Sequence, residues 1–228
     1  MNLRSRLADI DARISDAARA AGRDSSELTR IVVTKFHPVD LVEELAALGV
    51  TDVGENRQQE VTAKRAAYGG GPLRWHFIGQ AQTNKARAIR AVADVVHSVD
   101  RVRLADALHA AAPEGDTAPL DVLLQVNLTT DTGRGGVAPV DVEALAQHVR
   151  AQCPSLRLRG VMGVAPLDEA PASAFARLAE SSAVVRGVDP DATWISAGMT
   201  GDFVEAIAAD ATHLRIGSAI TGPRPTHG

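Results

Sequence analysis

The sequence predicts an α/β protein built as a single (β/α)8 TIM barrel with an additional helix at its amino terminus. Three observations lead there. From residue 30 onward, short apolar segments alternate about eight times with polar, alanine-rich segments of helical character. Runs such as Ile31-Val32-Val33 and Val122-Leu123-Leu124 are continuously apolar, as in parallel strands buried on both faces. The 228 residues suffice for one large α/β domain and fall at the short end of the barrel size range. An open doubly wound sheet is the alternative with the same element order.

At the amino terminus, Leu3, Leu7, Ile10, Ile14, Ala17 and Ala21 recur at helical spacing and Gly22 ends the pattern, so residues 2–21 read as an amphipathic helix. Residues 1–22 are expected to pack on the barrel, with 1–228 as one domain. The expected strands are Arg30–Lys35, Asp52–Gly54, Arg74–Gly79, Val95–Val99, Leu120–Asn127, Leu156–Gly163, Thr193–Ser196 and His213–Gly217. Helices are expected between them, over 39–48, 56–67, 83–92, 101–112, 139–152, 171–186 and 201–209.

Composition excludes several classes of function. A formal charge of −4 and 3% aromatic residues argue against a nucleic-acid partner, which usually needs a basic face and stacking rings. The lone cysteine, Cys153, cannot form an internal disulfide and fits a reducing compartment. No apolar run approaches the roughly 18 residues of a membrane helix. Asp9, Asp11 and Asp16 interrupt the Arg-bearing start, which does not suit a targeting peptide. A cytoplasmic protein without a membrane partner is expected. No long exposed apolar stripe is evident, which favours a monomer.

In a barrel, chemistry belongs at the carboxyl ends of the strands. Lys35 ends the first of them. It is one of only three lysines, with Lys64 and Lys85, among 24 basic residues. A strand-end lysine can simply reach solvent; inside a barrel mouth, desolvation would free its amine to attack a carbonyl. Ser196-Ala197-Gly198-Met199-Thr200-Gly201 follows the seventh strand, and Gly217-Ser218 ends the eighth. Barrels frequently bind phosphate between these two loops, although ordinary capping turns look similar. Arg215 shares a strand face with Gly217 and requires either a ligand or an interior carboxylate. The phosphate-loop, dinucleotide and nucleophile-elbow motifs are absent. The seven histidines show no metal-ligand spacing, and no metal is expected. His76 and His97 alternate with apolar neighbours as interior residues would.

These residues carry a resemblance. The blocks Val32-Val33-Thr34-Lys35, Gly54-Glu55-Asn56-Arg57-Gln58-Gln59-Glu60, Trp75-His76-Phe77-Ile78-Gly79, His97-Ser98-Val99-Asp100-Arg101, Gln125-Val126-Asn127, Arg159-Gly160-Val161-Met162, Gly198-Met199-Thr200 and Arg215-Ile216-Gly217-Ser218-Ala219-Ile220 occur in this order. Over about residues 30–224 the chain resembles the pyridoxal phosphate homeostasis family, relatives of the barrel half of alanine racemase. The resemblance implies pyridoxal 5′-phosphate (PLP) as cofactor and Lys35 as its Schiff-base lysine. It implies that Ser196, Gly198, Met199, Thr200, Gly217 and Ser218 hold the phosphate. Arg215 would face the pyridine nitrogen and Asn56 would lie beside the ring. One departure concerns the loop Thr132-Gly133-Arg134-Gly135-Gly136, where the family often has a lysine; Arg134 keeps the charge but removes a second Schiff-base amine.

No residue is assigned a catalytic role. An arginine against the pyridine nitrogen favours the unprotonated ring, a weaker electron sink than the acid-paired ring of most PLP enzymes. Racemases of this fold group add a tyrosine base from a second domain; this chain has one tyrosine, Tyr68, placed in a helix. The expected function is to carry or buffer PLP, with apo PLP-dependent enzymes as recipients. Three rivals remain. The first is a residual racemase-like activity. The second is a Schiff-base aldolase acting on a sugar phosphate with Glu55 as acid/base. The third is an interaction protein with a vestigial site.

Overall fold

A computed structural model describes residues 2–115, 118–131 and 133–223. Thr132 and the ends of the expected domain, Met1 and residues 224–228, lie outside the described residues. Eight strands close into a parallel barrel in chain order: β1 (Thr29–Val33), β2 (Asp52–Glu55), β3 (Arg74–Phe77), β4 (Val95–Val99), β5 (Leu120–Gln125), β6 (Leu156–Met162), β7 (Trp194–Ser196) and β8 (His213–Ile216). Closure removes every sheet edge, which decides against the open doubly wound sheet.

The helices are α1 (Leu3–Ala20), α2 (Val39–Ala47), α3 (Gln58–Ala67), α4 (Ala86–Arg90), α5 (Val102–Ala110), α6 (Val142–Gln152), α7 (Pro171–Val188), α8 (Phe203–Ala208) and α9 (Ser218–Thr221). Asn2 caps α1 by accepting the Ser5 N–H at 2.9 Å. The predicted apolar stripe Leu3, Leu7, Ile10 and Ile14 is buried, and α1 packs against α8 and α9. Arg23 reinforces that packing by donating to the carbonyls of Ile207 and Ala211 at 3.0 and 2.7 Å. No described helix is long and apolar enough to cross a membrane.

Element types follow the sequence, but several ends differ. β1 stops at Val33 rather than Lys35, because Thr34–His37 form a turn closed by the His37 N–H donating to the Thr34 carbonyl at 3.1 Å. β5 stops at Gln125; beyond it the Val126 N–H donates to the Met162 carbonyl at 2.8 Å, and Val126 forms an isolated bridge to Val137. The segments expected as helices over 83–92 and 139–152 begin as 3-10 turns, Thr83–Lys85 and Pro139–Asp141. The single-turn α9 was not expected.

The main apolar core lies between strands and helices, where Val32, Val53, Val96 and Val122 meet Leu45, Val61, Leu104 and Leu145. Inside the barrel a smaller apolar cluster, Val95, Leu123 and Met162, shares the space with buried His76, His97, Ser196, His213 and Arg215. That polar filling departs from the branched aliphatic layers usual in such barrels. Closure between β1 and β8 positions the site. Ile31 pairs with Arg215 and Val32 with Ile216, so the residues just beyond both strands emerge side by side at one rim.

Candidate functional site

A cleft of about 410 Å³ opens at that rim, and Lys35, Met199, Thr200, Arg215, Gly217 and Ser218 all line it. Thus six of the nine expected site residues come together from the two ends of the chain. Val33, Phe36, His37, Gly201, Thr221 and Gly222 complete the lining. The other three expected residues lie elsewhere. Ser196 is fully buried, with its hydroxyl held by Arg215 and His97. Gly198 supports the loop from behind: its φ is +87°, and an added Cβ would lie 2.8 Å from Ala206 Cβ and 2.9 Å from Phe203 Cα. Asn56 is outside the lining, and its buried Oδ1 has no hydrogen-bond partner.

The turn that presents Lys35 is held by the segment after β2. Phe36 sits at φ +69°, a left-handed conformation that a bulky side chain rarely adopts. Its N–H donates to Glu60 Oε2 at 2.9 Å, and its ring packs under the Arg57 guanidinium at 5.1 Å. Two residues back, the Thr34 hydroxyl donates to Glu55 Oε1 at 2.6 Å. Lys64, from α3, donates to the same oxygen at 2.5 Å and to the Thr34 carbonyl at 2.8 Å. Glu55 is fully buried, and burial pushes its carboxyl pKa up against the opposing pull of Lys64 and Thr34. The motif Gly54-Glu55-Asn56-Arg57-Gln58-Gln59-Glu60 therefore acts on its neighbour: both glutamates clamp the Lys35 turn. Sequence reasoning missed Glu60, because the donor it satisfies exists only once Phe36 turns left-handed.

Charge in the cleft is cationic. Arg215 is 5% exposed, and burial lowers its pKa to about 10, which leaves it protonated at neutral pH. It donates to Ser196 Oγ at 2.7 Å and to the Gly163 carbonyl at 2.8 Å. His37 has its pKa lowered by burial and by the cations Lys64 and Arg6, which favours its neutral form. Around this pair of cations, Lys35 and Arg215, stand the Thr200 and Ser218 hydroxyls and three glycines, a surface suited to a small anion. The Met199 N–H is already taken by Asp202 Oδ1 at 2.6 Å.

Other candidates fall outside. Tyr68 ends α3 against Trp75, with ring centroids 5.9 Å apart, and lines a different cavity. Arg134 is exposed beside Asn127 in a separate cleft. Between α5 and α6, Asp106, His148 and Cys153 bring three metal-capable atoms within 4.8 Å of one another. Spacing along the chain could not reveal that group, since Asp106 is on another helix. It closes on itself: His148 Nε2 lies 2.6 Å from Asp106, and burial and Asp106 raise the Cys153 thiol to a pKa of about 11.

The barrel agrees with the comparisons. Residues 6–225 match the family model described as alanine racemase, N-terminal domain. The chain is 42% identical over 221 residues to a pyridoxal phosphate homeostasis protein of Pseudomonas aeruginosa, covering 96% of this chain and 94% of that protein. It is 36% identical over 228 residues to the Escherichia coli protein of the same name, covering 96% and 95%. Among solved structures, PipY of Synechococcus elongatus with PLP bound superposes with a TM-score of 0.84 at 31% identity, covering 97% of this chain and all (100%) of that one. Alanine racemase of Corynebacterium glutamicum shares the fold, with a TM-score of 0.70 at 17% identity over 97% of this chain and 62% of that one.

Proposed function

The chain belongs to the pyridoxal phosphate homeostasis family, and from that premise we propose that it binds PLP as a Schiff base on Lys35 and carries or buffers the cofactor without robust catalysis of its own. One observation carries the reading: a lysine amine, a buried guanidinium and two hydroxyls from opposite ends of the chain share one cleft. The residues fit the cofactor. Lys35 offers the amine. Thr200 and Ser218, with the side-chain-free surface of Gly217, would hold the phosphate, and Arg215 would donate to the ring nitrogen. The partnerless Asn56 Oδ1 supplies a polar atom for the ring's edge. Ser196, Gly198 and Met199 would shape the loop rather than touch the phosphate through side chains.

What PLP contributes when bound is an aldehyde on an electron-withdrawing ring. Arg215 does not give up its proton at neutral pH, so it would keep that ring nitrogen unprotonated and the electron sink weak. Tyr68 lies elsewhere, and the enzymatic alternative falls to His37, the remaining titratable side chain in the lining among the described residues. The aldolase reading loses its acid/base: Glu55 is buried and engaged with Lys64 and Thr34. The whole barrel with α1 would act as one PLP-binding domain, a cytoplasmic monomer handing cofactor to apo-enzymes.

The test is transfer. Protein loaded with PLP and freed of excess cofactor should restore activity to an apo PLP-dependent enzyme. The same protein should show no appreciable turnover of a panel of L- and D-amino acids. Failure to restore activity, or efficient turnover that disappears in His37→Phe, would overturn the carrier reading.

A further inference from the structure

Arg215 poses an electrostatic problem that its immediate contacts do not solve. Its donors end on neutral oxygens, Ser196 Oγ and the Gly163 carbonyl; Asp202 pulls on its charge, but no described ion pair reaches it. A buried cation without a counter-charge is costly. Beyond Asp202, a second counter-charge lies at the far end of a hydrogen-bonded row through the barrel interior. Ser196 Oγ lies 2.9 Å from His97 Nδ1, His97 Nε2 lies 2.9 Å from His76 Nδ1, and His76 Nε2 lies 2.8 Å from Asp52 Oδ1. His76, His97 and Ser196 are fully buried. Asp52, at the opposite end of the barrel, keeps 13% of its side chain exposed.

We propose that Asp52 is a second, remote counter-ion of Arg215, acting through a one-way relay of His76, His97 and Ser196 that holds Arg215 as a full cation aimed into the cleft. Donor arithmetic sets the direction. Arginine only donates, so Ser196 Oγ accepts, and its single hydrogen is free for His97 Nδ1. A neutral His97 then carries its hydrogen on Nε2 and donates to His76 Nδ1. A neutral His76 likewise donates from Nε2 to the Asp52 carboxylate. All four hydrogens point the same way, and every contact is satisfied without charging an imidazole.

The reverse order requires His97 to donate to Ser196 and places an extra proton at the far contact, either on His76, as a cation in the barrel interior, or on the Asp52 carboxyl. The surroundings oppose it. Burial lowers the His76 pKa, only partly offset by Asp52, and Arg74 adds repulsion while Asp94 gives a small pull. Burial holds His97 well below the ordinary range, reinforced by His76, His213, Arg215 and Arg74. At the end of the row, burial raises the Asp52 carboxyl, but the His76 and Thr51 hydrogen bonds outweigh it and leave a net lowering. An ionised acceptor and a cationic donor thus terminate a row of aligned dipoles, the arrangement in which each bond strengthens the next. Asp52, His76 and His97 are positioning residues: none lines the cleft.

The relay can be tested without cofactor; only its consequence for PLP rests on the function proposed above. Two-bond 1H–15N spectra of the full-length, PLP-free protein should show His76 and His97 neutral, both with hydrogen on Nε2 and bare Nδ1, across about pH 6–8. A doubly protonated ring, or hydrogen on Nδ1 of either one, overturns the relay even if no variant folds. In the loaded protein, Asp52→Asn should move the pH titration of the Schiff-base absorbance to lower pH, because Arg215 loses a compensating charge. Asp52→Glu should restore it. An unmoved titration in Asp52→Asn, with the tautomers as expected, removes the counter-ion role. A wild type that takes up no PLP sinks the proposed function instead, while the spectra still decide the relay.

Discussion

Lys64→Ala is expected to destabilise the protein by about 3–5 kcal/mol, the usual cost of leaving one member of a buried ion pair unpaired. Lys64 is 7% exposed and Glu55 0%, so water cannot replace the lost partner without rearrangement. For a domain of this size that predicts a fall in Tm of roughly 2–4 °C per kcal/mol. The loss should also depend on pH. Glu55 already has its folded pKa raised by burial, and removing Lys64 raises it further. A raised carboxyl contributes fully below its unfolded pKa of about 4.3 and loses that contribution as pH rises through the folded value. The variant should therefore be closer to wild type in mild acid than at neutral pH. The double change Glu55→Gln with Lys64→Met should recover much of the loss. Thermal melts at two pH values check this, and a deficit below about 1 kcal/mol at neutral pH would mean the pair is effectively solvated.

The largest functional effect is expected for Lys35→Ala. It should abolish the visible absorbance of protein mixed with PLP, while weak, noncovalent binding persists through Thr200, Ser218 and Arg215. Absorbance and equilibrium dialysis separate the two contributions. Loss of both would mean that the amine supplies nearly all of the binding; retention of the absorbance would place the Schiff base on another lysine.

Much of this site was legible before any coordinates. The barrel follows from the apolar runs and their spacing, and the loops after the seventh and eighth strands announce themselves by glycines and hydroxyls. Arg215 could be placed on its strand by alternation, and Lys35 at the end of the apolar run Ile31–Val33, although it sits two residues beyond the strand in a turn. What remained hidden depends on contacts between strands. Ser196 was expected at the phosphate, yet β7 is short and ends on it, which leaves its hydroxyl below the rim between His97 and Arg215. His76 and His97 could be recognised as interior residues, but their contact depends on the register of β3 against β4. Phe36 breaks a local rule, since left-handed backbone normally selects glycine or asparagine. Its partner Glu60 was invisible for the same reason. Such local violations concentrate where a structure holds a reactive group in place.

The central claim places one amine in covalent reach of an aldehyde. Incubating the protein with PLP, reducing with borohydride, digesting and locating the added mass by peptide sequencing tests that claim directly. The adduct should fall on Lys35 and nowhere else. A label on Lys64 or Lys85, or no stable label at all, would contradict the account.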